Sequence, residues 1–111
     1  MDNAQVNHVI KDNGKPVKGI TMSTYNNMLY VVTDKQPHVD VYKLSDFTKS
    51  HQIKVDGINW PDSLVSCQYY KCLYISDDSY HNKCIHRIQL NDNNSCTKWN
   101  VKVGGFVYQS I

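Results

Sequence analysis

"LVSCQYYKCLYISDD" (residues 64–78) restates a stretch met earlier in the chain, "ITMSTYNNMLYVVTD" (20–34). Superposing the two sets Tyr25 on Tyr69, Leu29 on Leu73, Tyr30 on Tyr74, Val31 on Ile75 and Asp34 on Asp78. Beyond a two-residue insertion the match resumes with "VDVYKLSD" (39–46) over "IHRIQLND" (85–92), so that Val39 meets Ile85, Leu44 meets Leu90 and Asp46 meets Asp92. Val55 and Val101 then coincide. A self-match with a period of about 45 residues is the mark of a repeat architecture.

Each period holds four short runs of β-branched and aromatic residues parted by Asn, Asp, Gly and Ser clusters, the spacing of a four-stranded propeller blade. In the first unit the runs are "KGITMS" (18–23), "MLYVVTD" (28–34), "HVDVYKL" (38–44) and "HQIKV" (51–55). In the second they are "DSLVSC" (62–67), "KCLYISD" (71–77), "CIHRIQL" (84–90) and "TKWNVKV" (97–103). Helix is disfavoured: the chain has a single alanine, no glutamate and no long run with apolar residues at i, i+3, i+4 and i+7. The expected fold is all-β, a β-propeller segment of two four-stranded antiparallel blades plus flanking strand fragments.

The ends of the chain extend this reading. "NHVIKDNG" resembles the outer strands that close each unit, and "GGFVYQSI" aligns with "NGKPVKGI", Gly105 on Gly14 and Ile111 on Ile20. Residues 1–15 are therefore expected as the outer strand of a preceding blade, 16–58 as blade 1, 59–105 as blade 2 and 106–111 as the start of a third. A repeat unit does not bury both its faces alone, and about three or more stacked units are normally needed. The expectation is a homo-oligomer that completes a ring, or part of a longer chain.

The 111 residues fit one domain, and a net charge of +2 is scattered rather than gathered into a basic block. The longest apolar runs, such as "MLYVV" (28–32), fall far short of the roughly 20 residues that span a bilayer. The opening "MDNAQVNHVIKDNGK" is too polar for a signal peptide, so a cytoplasmic chain is expected.

At "KCLYISDDSYHNKCIHRIQL" (71–90) and the following "TKWNV", the chain resembles the NHL-like β-propeller repeat family. The first unit departs from that pattern, with Met28 for the cysteine of "CLY", Thr33 for the first aspartate and "VDVYKL" for "IHRIQL". The resemblance implies a six-bladed ring that displays loops for protein or RNA.

Candidate site residues fall into two groups. Tyr25, Tyr69 and Tyr70 stand in the turns between first and second strands, and with Lys71 they offer a stacking surface for a ligand. Cys67, Cys72, Cys84 and His86 carry the thiol and imidazole chemistry; Cys72, Cys84 and His86 have no like residue in the first unit. Cys67 is placed across a hairpin from Cys72, and Cys72 opposite Cys84 on adjacent strands, as reduced apolar residues foremost, with a cross-strand disulfide or metal or redox work as the alternatives. Neither CxxC nor HxxxH spacing occurs, so no metal set, no cofactor and no catalytic residue is assigned. Asp34 and Asp78 recur at the ends of the second strands, where turn chemistry favours Asp; carboxylates around a channel can also take up Ca²⁺. Tyr30 and Tyr74 are expected to fill the wedge between sheets.

The expected function is a non-catalytic scaffold that binds a macromolecular partner, protein favoured, through its loops and blade faces. RNA binding is the alternative, with Lys11, Lys15, Lys18 and Lys54 gathered by stacking. A six-bladed hydrolase or lyase is the enzymatic rival, although the inner strands "ITMS" and "LVSC" supply no acid or base.

Overall fold

The structure is a computed structural model, which describes residues 15–78, 83–101 and 107–110, with Val101 and 107–110 as backbone alone. Every regular element among the described residues is a β-strand. They run β1 (Val17–Ser23), β2 (Met28–Thr33), β3 (His38–Lys43), β4 (Lys49–Lys54), β5 (Pro61–Cys67), β6 (Cys72–Asp78), β7 (Lys83–Gln89), β8 (Ser95–Val101) and β9 (Val107–Ser110). The first eight lie within about two residues of the runs expected from the sequence. No helix among these residues is long and apolar enough to cross a membrane.

β1 to β4 form one antiparallel sheet in chain order, and β5 to β9 form the second. Equivalent residues hold equivalent registers: Ile20 lies across from Val31, and Leu64 from Ile75. The turns repeat as well, because Asn27 and Lys71 both enter the left-handed region at φ 56° to start the second strand of their sheets. The backbone amides of Asp34 and Asp78 donate to the carbonyls of Pro16 and Trp60, each at 2.9 Å, closing the first hairpin of each sheet. These bonds use the main chain, which any residue but proline supplies, while the Asp78 side chain is exposed and pairs with Lys83 at 3.3 Å.

Within the stretch expected to start a third unit, Val107–Ser110 runs antiparallel to β8, with Val107 across from Val101, as the fifth strand of the second sheet. The physical reason is that the outer strand β8 leaves a free row of amides and carbonyls, which the returning chain satisfies. The N-terminal strand fragment expected at 1–15 lies, but for Lys15, outside the described residues.

Alternation decides how the sheets meet. In β2, Tyr30 and Val32 point to one face of the first sheet, Leu29 and Val31 to the other. The main core joins Tyr30, Val32, Val39, Val41 and Ile53 of the first sheet to Leu64, Leu73, Ile75 and Ile88 of the second, with Val55 and Ile58 of the crossover between them. Leu29, Val31 and Tyr42 form a separate cluster on the far face with Val17, Ile20, Leu44 and Phe47. Leu73 therefore belongs to the shared core, whereas its repeat counterpart Leu29 does not. Unlike faces of the two units are in contact.

The sheets approach most closely along β1 and β5. A Cβ added to Gly19 would lie 2.7 Å from the Leu64 backbone nitrogen, so only glycine fits there. Further along, Thr21 and Ser66 hydroxyls meet at 3.1 Å.

Candidate functional site

Gln68 draws the first turns of both sheets together. Its Oε1 accepts from the Thr24 amide at 2.8 Å and the Thr24 hydroxyl at 2.9 Å, and its Nε2 donates to the Met22 carbonyl at 3.2 Å. Ser66 Oγ donates to the same carbonyl at 2.8 Å. Turn 24–27 and turn 68–71 thereby become one surface.

On that surface the four aromatic and cationic candidates meet. The Lys71 ammonium lies 5.0 Å from the centre of the Tyr25 ring, a cation–π contact made between sheets. Tyr69 and Tyr70 pack edge to face with their centroids 4.8 Å apart, and they stay 83% and 63% exposed. Met22 on β1 and Val65 on β5 are exposed as well, Met22 beside Leu29 on the outer face of the first sheet and Val65 beside Tyr74 on the open face of the second. Two large rings held in fixed mutual geometry while exposed are unusual, because water contact is normally relieved by burial.

The thiols are placed differently from one expectation. Cys67 and Cys72 do lie across from each other on β5 and β6. Cys72, however, faces Gln89 on β7, and Cys84 faces Asp77, so Cys72 and Cys84 are not neighbours. The β6–β7 register places Cys84 at the opposite end of the strand pair from Cys72. All four cysteines are free thiols.

Asp77, Cys84 and His86 form the most distinctive cluster in the second sheet. Cys84 and His86 are two apart on β7 and share the face toward the first sheet; the antiparallel register brings Asp77 to that face from β6. All three are buried, and one ligand atom from each lies within 4.8 Å of the others. Cys84 Sγ is 3.3 Å from His86 Nε2, and His86 Nε2 is 3.7 Å from Asp77 Oδ2. The Asp77 carboxylate accepts the amides of Asn59 at 2.8 Å and Trp60 at 3.1 Å, so it also pins the crossover between sheets. Lys98 on β8 pairs with His86, and Gly57, at φ 88°, brings the crossover backbone against both.

Burial pushes the Cys84 thiol above its ordinary value, with the Asp77 charge adding to it and Lys98 opposing it. Burial likewise holds the His86 imidazole below its usual range; Asp77 pulls it back up and Lys98 lowers it further. Near neutral pH the pair is a thiol and a neutral imidazole, the opposite of the thiolate–imidazolium pair that an activated cysteine nucleophile needs.

In the first sheet the corresponding places hold Thr33, His38 and Asp40. There the buried Asp40 carboxylate receives His38 at 3.4 Å, Lys49 at 3.3 Å and the Gln52 amide at 3.0 Å, a charge-satisfied arrangement without sulfur. Asp77 is the residue that the sequence reading passed over in favour of its neighbour Asp78. Asp34 and Asp78 line a shared open pocket of about 300 Å³ with Asp62, but Lys18 and Lys35 line it too and offset the carboxylates.

Comparison with known proteins finds no family model and no curated protein that matches this chain.

Proposed function

We propose that the chain is a two-blade segment of an NHL-like propeller, acting as a non-catalytic scaffold that docks a protein partner on the turn surface of Tyr25, Tyr69, Tyr70 and Lys71. The carrying observation is that turns from successive repeats are tied by Gln68 into one surface on which Tyr69 and Tyr70 stay exposed. Rigid tyrosines present large contact area at low entropic cost, the composition that protein interfaces favour at their centres. The propeller reading draws support from first strands that face each other, β1 against β5, and from the repeated sheet order. The non-catalytic reading draws support from burial, which raises the Cys84 thiol above its ordinary value and so disfavours the thiolate that a nucleophile needs. A further blade, from another copy or elsewhere in a longer chain, seats on the open face of the second sheet, where Val65 is exposed and Arg87 stacks over Trp99 at 5.4 Å. Free thiols fit a cytoplasmic setting.

The test is selection of peptides from a displayed random library, alongside a random single-stranded RNA pool. Selected peptides should lose at least tenfold in affinity against the Tyr69→Ala/Tyr70→Ala variant. Failure to select any peptide, or tight salt-dependent retention of RNA, overturns the protein-docking reading.

A further inference from the structure

We propose that Asp77, Cys84 and His86 are three ligands of a divalent, thiophilic transition-metal ion, with Zn²⁺ as the reference case. This goes beyond the docking surface and does not depend on it. Carboxylate, thiolate and neutral imidazole are the three donor types that zinc accepts from proteins. With bond lengths of about 2.3 Å to sulfur and about 2.0–2.2 Å to nitrogen or oxygen, tetrahedral ligand atoms stand about 3.4–3.6 Å apart. The sulfur–nitrogen separation of 3.3 Å and the nitrogen–oxygen separation of 3.7 Å already match this spacing without an ion. The third separation also falls within the 4.8 Å limit of the cluster, so all three donors already converge on one small volume.

The surroundings fit such a site. Asp77 is oriented by the two crossover amides, the kind of outer support that ligating carboxylates have. An open pocket of about 270 Å³, lined by Asp62, Ser76, Asp78 and Lys83, reaches Asp77 and Cys84 from outside and gives an ion its way in. Of the charges around the site, Asp77 favours the ion, Lys98 beside His86 opposes it, and the rim carries both signs. Binding removes the proton of the Cys84 thiol to solvent as the metal–sulfur bond forms, leaving one dication against one carboxylate and one thiolate. The ion then ties β6, β7 and, through Asp77, the crossover into one unit.

The full chain, freed of metal by chelation, is titrated with Co²⁺ and then with Zn²⁺. The expected result is a thiolate-to-cobalt charge-transfer band at one equivalent that Zn²⁺ abolishes. The band should survive Cys67→Ser and Cys96→Ser and vanish in Cys84→Ser. His86→Gln should weaken binding at least as much as loss of an outer partner does elsewhere, about 10- to 100-fold. Lys98→Met should tighten it. Because Cys84→Ser is a core change, X-ray absorption of the zinc-loaded wild-type chain supplies a readout that needs no variant: one sulfur and the rest nitrogen or oxygen. Absence of a stoichiometric band, its persistence in a folded Cys84→Ser chain, or a first shell without sulfur overturns the proposal.

Discussion

Gly19 and Leu64 define the tightest contact between the two sheets: a Cβ on Gly19 would sit 2.7 Å from the Leu64 nitrogen and 2.8 Å from its Cβ. Backbone is on one side of that contact, so no flexible side chain can swing away. Gly19→Ala should therefore force β1 and β5 apart and destabilise the chain by about 1–3 kcal/mol, the usual range for overpacking. Urea unfolding of the two proteins checks this, and an unchanged midpoint would place the sheets further apart than described.

Asp77 has a structural duty that can be measured without any metal. Replacing it with alanine leaves the Asn59 and Trp60 amides without their carboxylate acceptor. Hydrogen bonds to charged groups contribute about 1.5–3 kcal/mol, so metal-free Asp77→Ala should lose at least that much stability. Asp78→Ala, beside it but exposed, should change stability by less than about 0.5 kcal/mol. Amide exchange at Asn59 and Trp60 should accelerate only in the first variant.

Tyr30 predicts an alkaline limb. Burial raises its hydroxyl above the ordinary value of 10.0, opposed by the Asn26 amide, which donates to it at 2.6 Å. The folded state therefore prefers the neutral phenol. That preference is fully present below pH 10 and is lost as pH rises through the raised value, where the unfolded chain has already released its proton. Wild-type stability should fall more steeply above pH 10 than that of Tyr30→Phe. Parallel stability curves for the two proteins would count against a buried phenol.

The repeat-related tyrosines should separate by environment. Tyr30 is 2% exposed within the shared core, and its truncation to alanine should cost about 3–5 kcal/mol, as for other large aromatic residues. Tyr74, only partly buried on the open face of the second sheet, should cost markedly less. Tyr69→Ala should lie within about 0.5 kcal/mol of wild type, since the ring is solvated. Thermal unfolding of the three variants orders them directly.

Strand positions were legible in the sequence because the repeat doubles every local signal: Leu29 and Leu73 identify each other, and so do the turns at Asn27 and Lys71. The turn tyrosines were legible for the same reason, as residues at places where no core lies. The Asp77–Cys84–His86 cluster was not. Its members are separated along the chain, and only the register between β6 and β7 brings Asp77 opposite Cys84. A signal was nonetheless present: Thr33, His38 and Asp40 replace the three residues in the first unit, so the departures from the repeat fall together. Repetition emphasised Asp78, whose side chain faces water, and hid Asp77, whose side chain does not.

The placement of Leu73 in the shared core and of Leu29 outside it gives the pair of sheets a direction. A contact between unlike surfaces has no twofold axis, so it does not generate a closed dyad dimer of itself. Copies that reuse it follow one another with a constant sense of rotation, and the rotation alone decides between a closed cycle and an open filament. A substitution that alters the tilt between the sheets would thus change the number of copies in an assembly while leaving each sheet intact.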